Sequence, residues 1–254
     1  MESLSVSTNS FTLDLYKKLN ENSKGQNIFF SPWSIATGLA MVHLGAKGDT
    51  ATKTAEVSSE IISYLFSNFC FQFNETKTKP VQMMFLRDNF FVLYETTMKF
   101  RIIELPYVEN ELSMFVLLPD DNTTELTYEK LAEWTKSANM MKAEVDLYLP
   151  KLKLEENYDL KSPLSSMEIQ NAFDPVQVDF TGMSVKKDLF ISQVIHKAFM
   201  EVNEEGTEAA AATGVLVMRS KAPTMTFKAD HPFIFFIRHT KSQTMLFFGR
   251  LCSP

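Results

Sequence analysis

Four histidines are the side chains in this sequence that could act as general bases or metal ligands. They are His43, His196, His231 and His239. His43 falls at the end of a predicted buried helix and His196 in a strand-like segment, which favours hydrogen-bonded structural roles for both. A metal or catalytic site would have to be assembled from distant segments. Because the GxSxG, HExxH, Walker and dinucleotide-binding glycine motifs are also absent, we predict no enzyme activity, cofactor or metal.

Composition favours a folded chain in a reducing compartment. The 254 residues are 45% hydrophobic and carry a net charge of −6, so we expect neither disorder nor a nucleic-acid or membrane partner. Cys70 and Cys252 lie far apart and predict no disulfide framework or zinc site. The sequence begins without a signal-peptide pattern. We therefore expect a cytoplasmic or nucleocytoplasmic protein, with leaderless secretion as the remaining route out of the cell.

Helical patterns dominate the first sixty residues. Phe11, Leu15 and Leu19 recur every four residues after a polar cap region at residues 7–10, which predicts a surface-packed amphipathic helix. A later short helix is capped by Asp49.

The second helix has the clearest boundaries. Ser31 supplies an N-cap hydroxyl, Pro32 suits the first helical position, and Gly45 is a stop signal. We predict this helix to be mostly buried, and its interior Gly38 predicts close approach by another backbone. Helical spacing recurs once more at residues 128–135.

Later segments are typical of β-strands. Residues 100–105 and 112–118 predict one hairpin, and the apolar runs 232–237 and 244–248 predict a second, fully buried hairpin. Half-buried strands flank Pro150, which forces a change of alignment between them. Helices followed by strands predict an α+β fold.

Residues 204–215 combine conflicting local signals. Alanine runs favour helix, but this run lies between glycines, follows a strand and precedes β-branched residues. One interpretation is an exposed helix or tether. The other is a segment whose small side chains let its backbone slide between two existing strands. Composition alone leaves both open.

Three separated motifs resemble the serpin family. Residues 27–36, NIFFSPWSIA, resemble the serpin helix-B motif, and residues 201–213, EVNEEGTEAAAAT, resemble the serpin hinge. Residues 227–233, FKADHPF, are similar to the C-terminal signature. The ending GRLCSP at residues 249–254 resembles the ovalbumin-like intracellular clade B branch, and within it the bomapin-like and heterochromatin-associated bird serpins.

The resemblance implies a suicide inhibitor of serine or papain-like cysteine endopeptidases. A protease would cleave an exposed reactive loop, which would then insert as a new strand into the main sheet. Ser31, Pro32 and His196 would belong to the structural shutter beneath that sheet. The hinge that the resemblance implies consists of Glu205, Gly206, Thr207, Glu208, Ala209, Ala210, Ala211, Ala212 and Thr213.

The reactive bond has two candidate positions. Counting fourteen residues from Gly206, as the family spacing implies, places Ser220 before the scissile bond and Lys221 after it. If the hinge is one residue shorter, Arg219–Ser220 is the bond, which suits a trypsin-like protease. If Ser220 is correct, the site is compatible with a papain-like protease that selects an apolar residue one or more positions earlier, such as Met218 or Val217. The sequence leaves the target class open.

The chain is shorter than the resemblance requires. The similarity covers about residues 4–57 and resumes near Phe71, so we expect a deletion junction at residues 58–70 within a single incomplete domain spanning 1–254. A smaller gap is expected at residues 120–122. The absent block would hold the first three strands of the main sheet.

Only the fifth and sixth strands of that sheet are expected, around residues 189–202 and 149–154. The insertion slot would then lack one side, so we predict impaired inhibition and self-association through the exposed sheet edge. The alternative is a non-inhibitory serpin-like binding or storage protein. An enzyme is the third and least favoured of the three interpretations.

Overall fold

The structure, a computed structural model, describes residues 2–59, 81–119, 126–167, 169–185, 189–203 and 224–253. Within these ranges the helices are α1 Glu2–Asn22, α2 Pro32–Gly45, α3 Gly48–Ser59, α4 Tyr128–Trp134 and α5 Lys161–Ser166. The strands are β1 Ile28–Phe30, β2 Met83–Glu95, β3 Phe100–Pro106, β4 Leu112–Pro119, β5 Met141–Pro150, β6 Leu152–Asp159, β7 Ile195–Val202, β8 Met225–Lys228, β9 Phe233–His239 and β10 Met245–Leu251. No helix in these ranges has the length and apolar character needed to cross a bilayer.

The first helix starts earlier than its cap pattern predicted. α1 begins at Glu2, so residues 7–10 lie inside the helix, and the predicted cap position is wrong. Phe11, Leu15 and Leu19 are buried as the apolar spacing requires. The polar residues 7–10 are buried too, because other elements pack around the helix on several sides. α1 is therefore a core helix and not a surface-packed one.

The second helix has the predicted ends but not the predicted burial. Ser31 caps α2 by accepting a hydrogen bond from the Ser34 N–H, and the helix ends at Gly45. Met41 and Leu44 are 64% and 83% exposed, however, and a Cβ placed on Gly38 would meet no atom within 4 Å. No described element packs on this face, so the expected close approach of another backbone is not found among the described residues.

Eight strands form the main body of the protein. Their order is β1-β10-β9-β4-β3-β2-β5-β8, with β5 and β8 parallel and the other neighbours antiparallel. Both predicted hairpins, β3–β4 and β9–β10, are confirmed. The sequence pattern missed β2, whose polar interruptions at Arg87, Asp88 and Asn89 hide its alternation.

The eight-stranded sheet separates two apolar cores. Alternate residues of β9 point to opposite faces, so Phe236 packs with the helices while Phe235 packs on the other side. Because both faces are covered, β9 is a continuous apolar run, as its sequence indicated. Phe236 stacks on Phe115 with 4.9 Å between the ring centroids.

A second sheet contains two described strands, β6 and β7. β5 and β6 are separated only by Lys151, so the chain leaves the large sheet at Pro150 and enters the small one at Leu152. The predicted change of alignment at Pro150 is therefore confirmed. Leu154 and Met200 of this sheet join the core on the face opposite the helices.

Candidate functional site

The hinge and both candidate reactive bonds lie in residues 204–223, outside the described residues. The structure does define the two strands that hold this segment. β7 precedes it in the two-stranded sheet, and β8 follows it at the edge of the eight-stranded sheet. Next to β8, the Thr224 hydroxyl lies 3.5 Å from the Glu144 carboxylate. The segment therefore connects edge strands of two different sheets.

The β7 strand has one paired edge. It pairs antiparallel with β6, from Leu152 opposite Val202 to Asp159 opposite Ile195. On its other edge, no strand of the described chain is hydrogen-bonded to it. The strand starts later than the predicted segment 189–202, because residues 189–194 form no ladder.

Ser31, Pro32 and His196 are brought together although 165 positions separate the serine from the histidine. The Ser31 N–H donates to His196 Nε2 at 3.0 Å, and the Ser31 hydroxyl donates to the Leu246 carbonyl at 2.8 Å. Pro32 is the first residue of α2. These contacts connect β7, the start of α2 and β10 at one point; we call Ser31, Pro32 and His196 the junction cluster.

Burial controls the charge of this cluster. The His196 side chain is on the inner face of β7, and desolvation by burial lowers its pKa. Tyr158 lies opposite His196 in the β6–β7 register, and its hydroxyl accepts a hydrogen bond from the Phe29 N–H at 3.2 Å. Burial raises the pKa of Tyr158 to about 12, so both rings are neutral near pH 7. The sequence did not point to Tyr158, because only the pairing of β6 with β7 places this residue opposite His196.

The other histidines make separate local contacts. His43 Nδ1 lies 3.1 Å from the Ala51 carbonyl, and His239 Nδ1 lies 2.8 Å from the Ser242 hydroxyl. His231 lies between the Asp230 carboxylate and the Pro119 carbonyl, at 2.9 and 2.7 Å. In the described part of the chain, no three His, Cys, Asp or Glu side chains are grouped to hold a metal ion. These histidines connect segments of the fold.

A cavity of about 490 Å³ lies between α1, α4 and the β9–β10 hairpin. Arg238 lines it, and its guanidinium donates to the Thr135 hydroxyl at 2.7 Å while lying 4.3 Å from the Phe115 ring centroid. Burial lowers the pKa of Arg238 to about 10, and no described carboxylate forms an ion pair with it. Lys136 and Lys241 line the same cavity, which could therefore accept an anionic group.

Known proteins match the chain from end to end. A family model described as Serpin (serine protease inhibitor) matches residues 6–59 and 66–254. Serpin B10 of Homo sapiens is 34% identical over 397 aligned positions that cover 100% of both chains. The leukocyte elastase inhibitor of Equus caballus is 33% identical over 379 positions, also with 100% of both chains covered. Only 254 of the 397 positions can hold a residue of this chain, so 143 face gaps.

Solved structures agree with the family match. Uncleaved ovalbumin superposes with a TM-score of 0.86 and 26% identity, covering 99% of this chain and 100% of that one. A tumour-suppressing serpin superposes with a TM-score of 0.85 and 25% sequence identity, and the alignment covers 100% of both chains. Thyroxine-binding globulin in complex with thyroxine superposes with a TM-score of 0.82 and 20% sequence identity over 100% of both chains. At this identity the similarity shows a shared fold alone.

Proposed function

The chain belongs to the serpin family, in its ovalbumin-like clade B branch, and on that premise we propose that it is a cleavable but impaired protease inhibitor. The family is one of serine protease inhibitors. Residues 204–223 act as a reactive loop that serine or papain-like cysteine endopeptidases cut. The cut loop then fails to trap the protease.

The free edge of β7 carries this proposal. A cleaved loop that follows β7 would fold back and pair with that edge. Among the described residues, no further strand lies beyond the edge to pair with the other side of the inserted segment. The inserted strand would therefore form one ladder where an internal strand forms two. Without the second ladder, insertion supplies too little free energy to drag and distort a bound protease.

Peptide mapping tests the reactive bond. Under limited digestion, we expect trypsin to cut first after Arg219, and papain to cut first at Arg219–Ser220 or Ser220–Lys221. Mass spectrometry of the fragments identifies the bond that papain cuts, and Arg219→Ala should abolish the first tryptic cut, because trypsin cleaves only after Arg or Lys. Lys228→Ala, in the adjacent strand β8, is the matched control. A first cut outside residues 219–221 contradicts both assignments.

We also propose that the chain is one incomplete serpin domain with its deletion junction in residues 58–70. Two observations support this. The family match breaks between residues 59 and 66, and 143 positions of the alignment with Serpin B10 face gaps.

The junction cluster fits the shutter role that the family resemblance implies, because it joins β7 to α2. We further propose a cytoplasmic or nucleocytoplasmic location, which is what the clade B resemblance implies.

A second candidate function is the binding of a small organic anion, favoured by the Arg238 cavity. It is one form of the non-inhibitory binding or storage role that the sequence left open. The buried guanidinium forms no close ion pair with a described carboxylate, and Glu104 acts on its charge only at longer range. It can therefore serve as the counter-ion of a bound carboxylate, and the nearby Phe115 ring stabilises its charge. The volume of about 490 Å³ is within the range of small-molecule sites.

Calorimetric titration with 1-naphthoate tests the anion site. We expect 1-naphthoate to bind at least about tenfold more tightly than the uncharged 1-naphthamide, because a hydrogen bond to a charged group contributes roughly 1.5–3 kcal/mol net and about 1.4 kcal/mol is tenfold. Arg238→Gln should remove the preference. Lys24→Gln, a cation outside the cavity lining, should keep it. Equal affinity for the acid and the amide contradicts this function.

A further inference from the structure

The free edge of β7 presents a row of backbone groups for pairing. The Leu160 N–H donates to the Val194 carbonyl at 2.8 Å, so residue 194 directs its carbonyl toward the β6 side. Backbone direction alternates along a strand. The N–H and C=O groups of Ile195, Lys197, Phe199 and Glu201 therefore face the opposite edge. Such an edge is a template for another strand.

The side chains of these four residues also lie together. They are exposed on the outer face of β7, while His196, Ala198 and Met200 are buried on the inner face. Ile195 and Phe199 are 53% and 55% exposed, so apolar surface lies beside the edge of β7 that no described strand pairs with.

The charges on this edge are self-complementary. Lys197 and Glu201 are placed symmetrically, two positions before and two positions after Phe199. An antiparallel copy of β7 centred on Phe199 would place Lys197 opposite the partner's Glu201, and Glu201 opposite the partner's Lys197. Opposite charges in directly facing positions stabilise a strand pair.

We propose that two copies of the chain form a symmetric dimer by antiparallel pairing of β7 with β7, with the two-fold axis at Phe199. The result is a continuous four-stranded sheet made of β6, β7 and their two copies. Two-stranded sheets are marginal by themselves, so this extension stabilises both subunits. Both edges are already ordered strands, so pairing does not carry the entropy cost of ordering a loop.

The charge pattern selects this register over its neighbours. A pair centred on Lys197 places that lysine directly opposite its own copy, and a pair centred on Glu201 does the same with the glutamate. Both registers are destabilised because the facing charges are alike. Registers centred on Ala198 or Met200 place Phe199 opposite a charged residue and form no Lys–Glu pair. Only the register centred on Phe199 forms two ion pairs and brings the two phenyl rings together. A closed two-fold pair also occupies the β7 edge of both copies, so no third copy can add at β7.

Charge reversal tests the dimer in analytical ultracentrifugation. Lys197→Glu and Glu201→Lys should each weaken dimerisation about tenfold, because each turns two attractive cross-strand pairs into two repulsive ones. The double variant K197E/E201K should dimerise like the unchanged chain. An equimolar mixture of the two single variants should form a heterodimer, since every facing pair is then opposite in charge.

Disulfide trapping gives the register directly. In a C70S/C252S background, Phe199→Cys should form an intermolecular disulfide, because hydrogen-bonded facing residues have Cα atoms about 5.5 Å apart. Lys197→Cys is the matched control and should not cross-link, since its two copies would lie about 14 Å apart at roughly 3.4 Å per residue.

Three results would overturn the proposal. The first is a monomer at every accessible concentration. The second is a dimer that ignores charge reversal and gives no cross-link in the Phe199→Cys variant. The third is a monomer that dimerises only after residues 207–219 are deleted, which would show that the loop occupies the edge of its own chain. None of these depends on where a protease cuts, so this test and that of the reactive bond can fail independently.

Discussion

Equimolar trypsin or papain is expected to cut the reactive loop completely and to remain active, without forming a dodecyl-sulfate-resistant complex with this chain. The residual activity of the protease after loop cleavage should exceed roughly 90%, because pairing along one strand edge releases too little free energy to trap the protease. Denaturing gel electrophoresis and a residual-activity assay measure the two outcomes. An inhibitory serpin traps nearly all of its protease, whereas this chain should trap almost none.

The energies of strand pairing explain this expectation. Four residues of β7 direct eight backbone N–H and C=O groups toward the edge that no described strand pairs with. One ladder of that length supplies about 4–12 kcal/mol at roughly 0.5–1.5 kcal/mol for each net hydrogen bond. Ordering the eight loop residues that would pair costs about 8–16 kcal/mol at roughly 1–2 kcal/mol each. One ladder supplies no clear surplus over this cost, so the inserted state is not favoured strongly enough to carry a protease with it.

Two controls make the result decisive. A leukocyte elastase inhibitor treated with its protease in the same assay should give the resistant complex. Thermal unfolding of the cut chain should show no increase in midpoint, because no internal strand has been added. A covalent band that survives dodecyl sulfate, or a markedly raised midpoint after cleavage, contradicts the impairment.

His196→Ala is expected to destabilise the fold by about 1–3 kcal/mol, because the Ser31 N–H loses its acceptor at a partly buried position. His196→Gln should keep most of the stability, since its side-chain carbonyl can accept the same hydrogen bond. Urea unfolding at pH 8 measures both changes. Equal losses in the two variants would show that the ring volume, and not the hydrogen bond, stabilises the junction cluster.

The same residue should make stability fall in acid. Burial lowers the pKa of His196 in the folded chain, so the unfolded chain binds the proton more readily. The contribution of neutral His196 is therefore complete above the unfolded pKa of about 6.5 and is lost as the pH falls through the lower folded pKa. Between pH 8 and pH 5, the unchanged chain should lose more stability than His196→Gln. An identical pH profile for the two chains contradicts this role.

Local patterns in the sequence determined much of the fold. Ser31 and Pro32 start α2 as predicted, because capping depends only on neighbouring backbone groups. The two hairpins and the break at Pro150 are also local signals, and the structure confirms them. The serpin motifs indicated the family, which the comparisons confirm. The reactive-bond residues stay predictions.

The tertiary structure decided which surfaces are covered. The apolar sequence of α2 predicted burial, but Met41 and Leu44 are exposed because no described element packs on that face. The contact between Ser31 and His196, and the cavity around Arg238, join segments far apart in the chain, which no local pattern encodes. The free edge of β7 is a property of the assembled sheet. A strand's own sequence fixes its alternation, whereas its hydrogen-bond partners depend on which other strands the folded chain brings beside it.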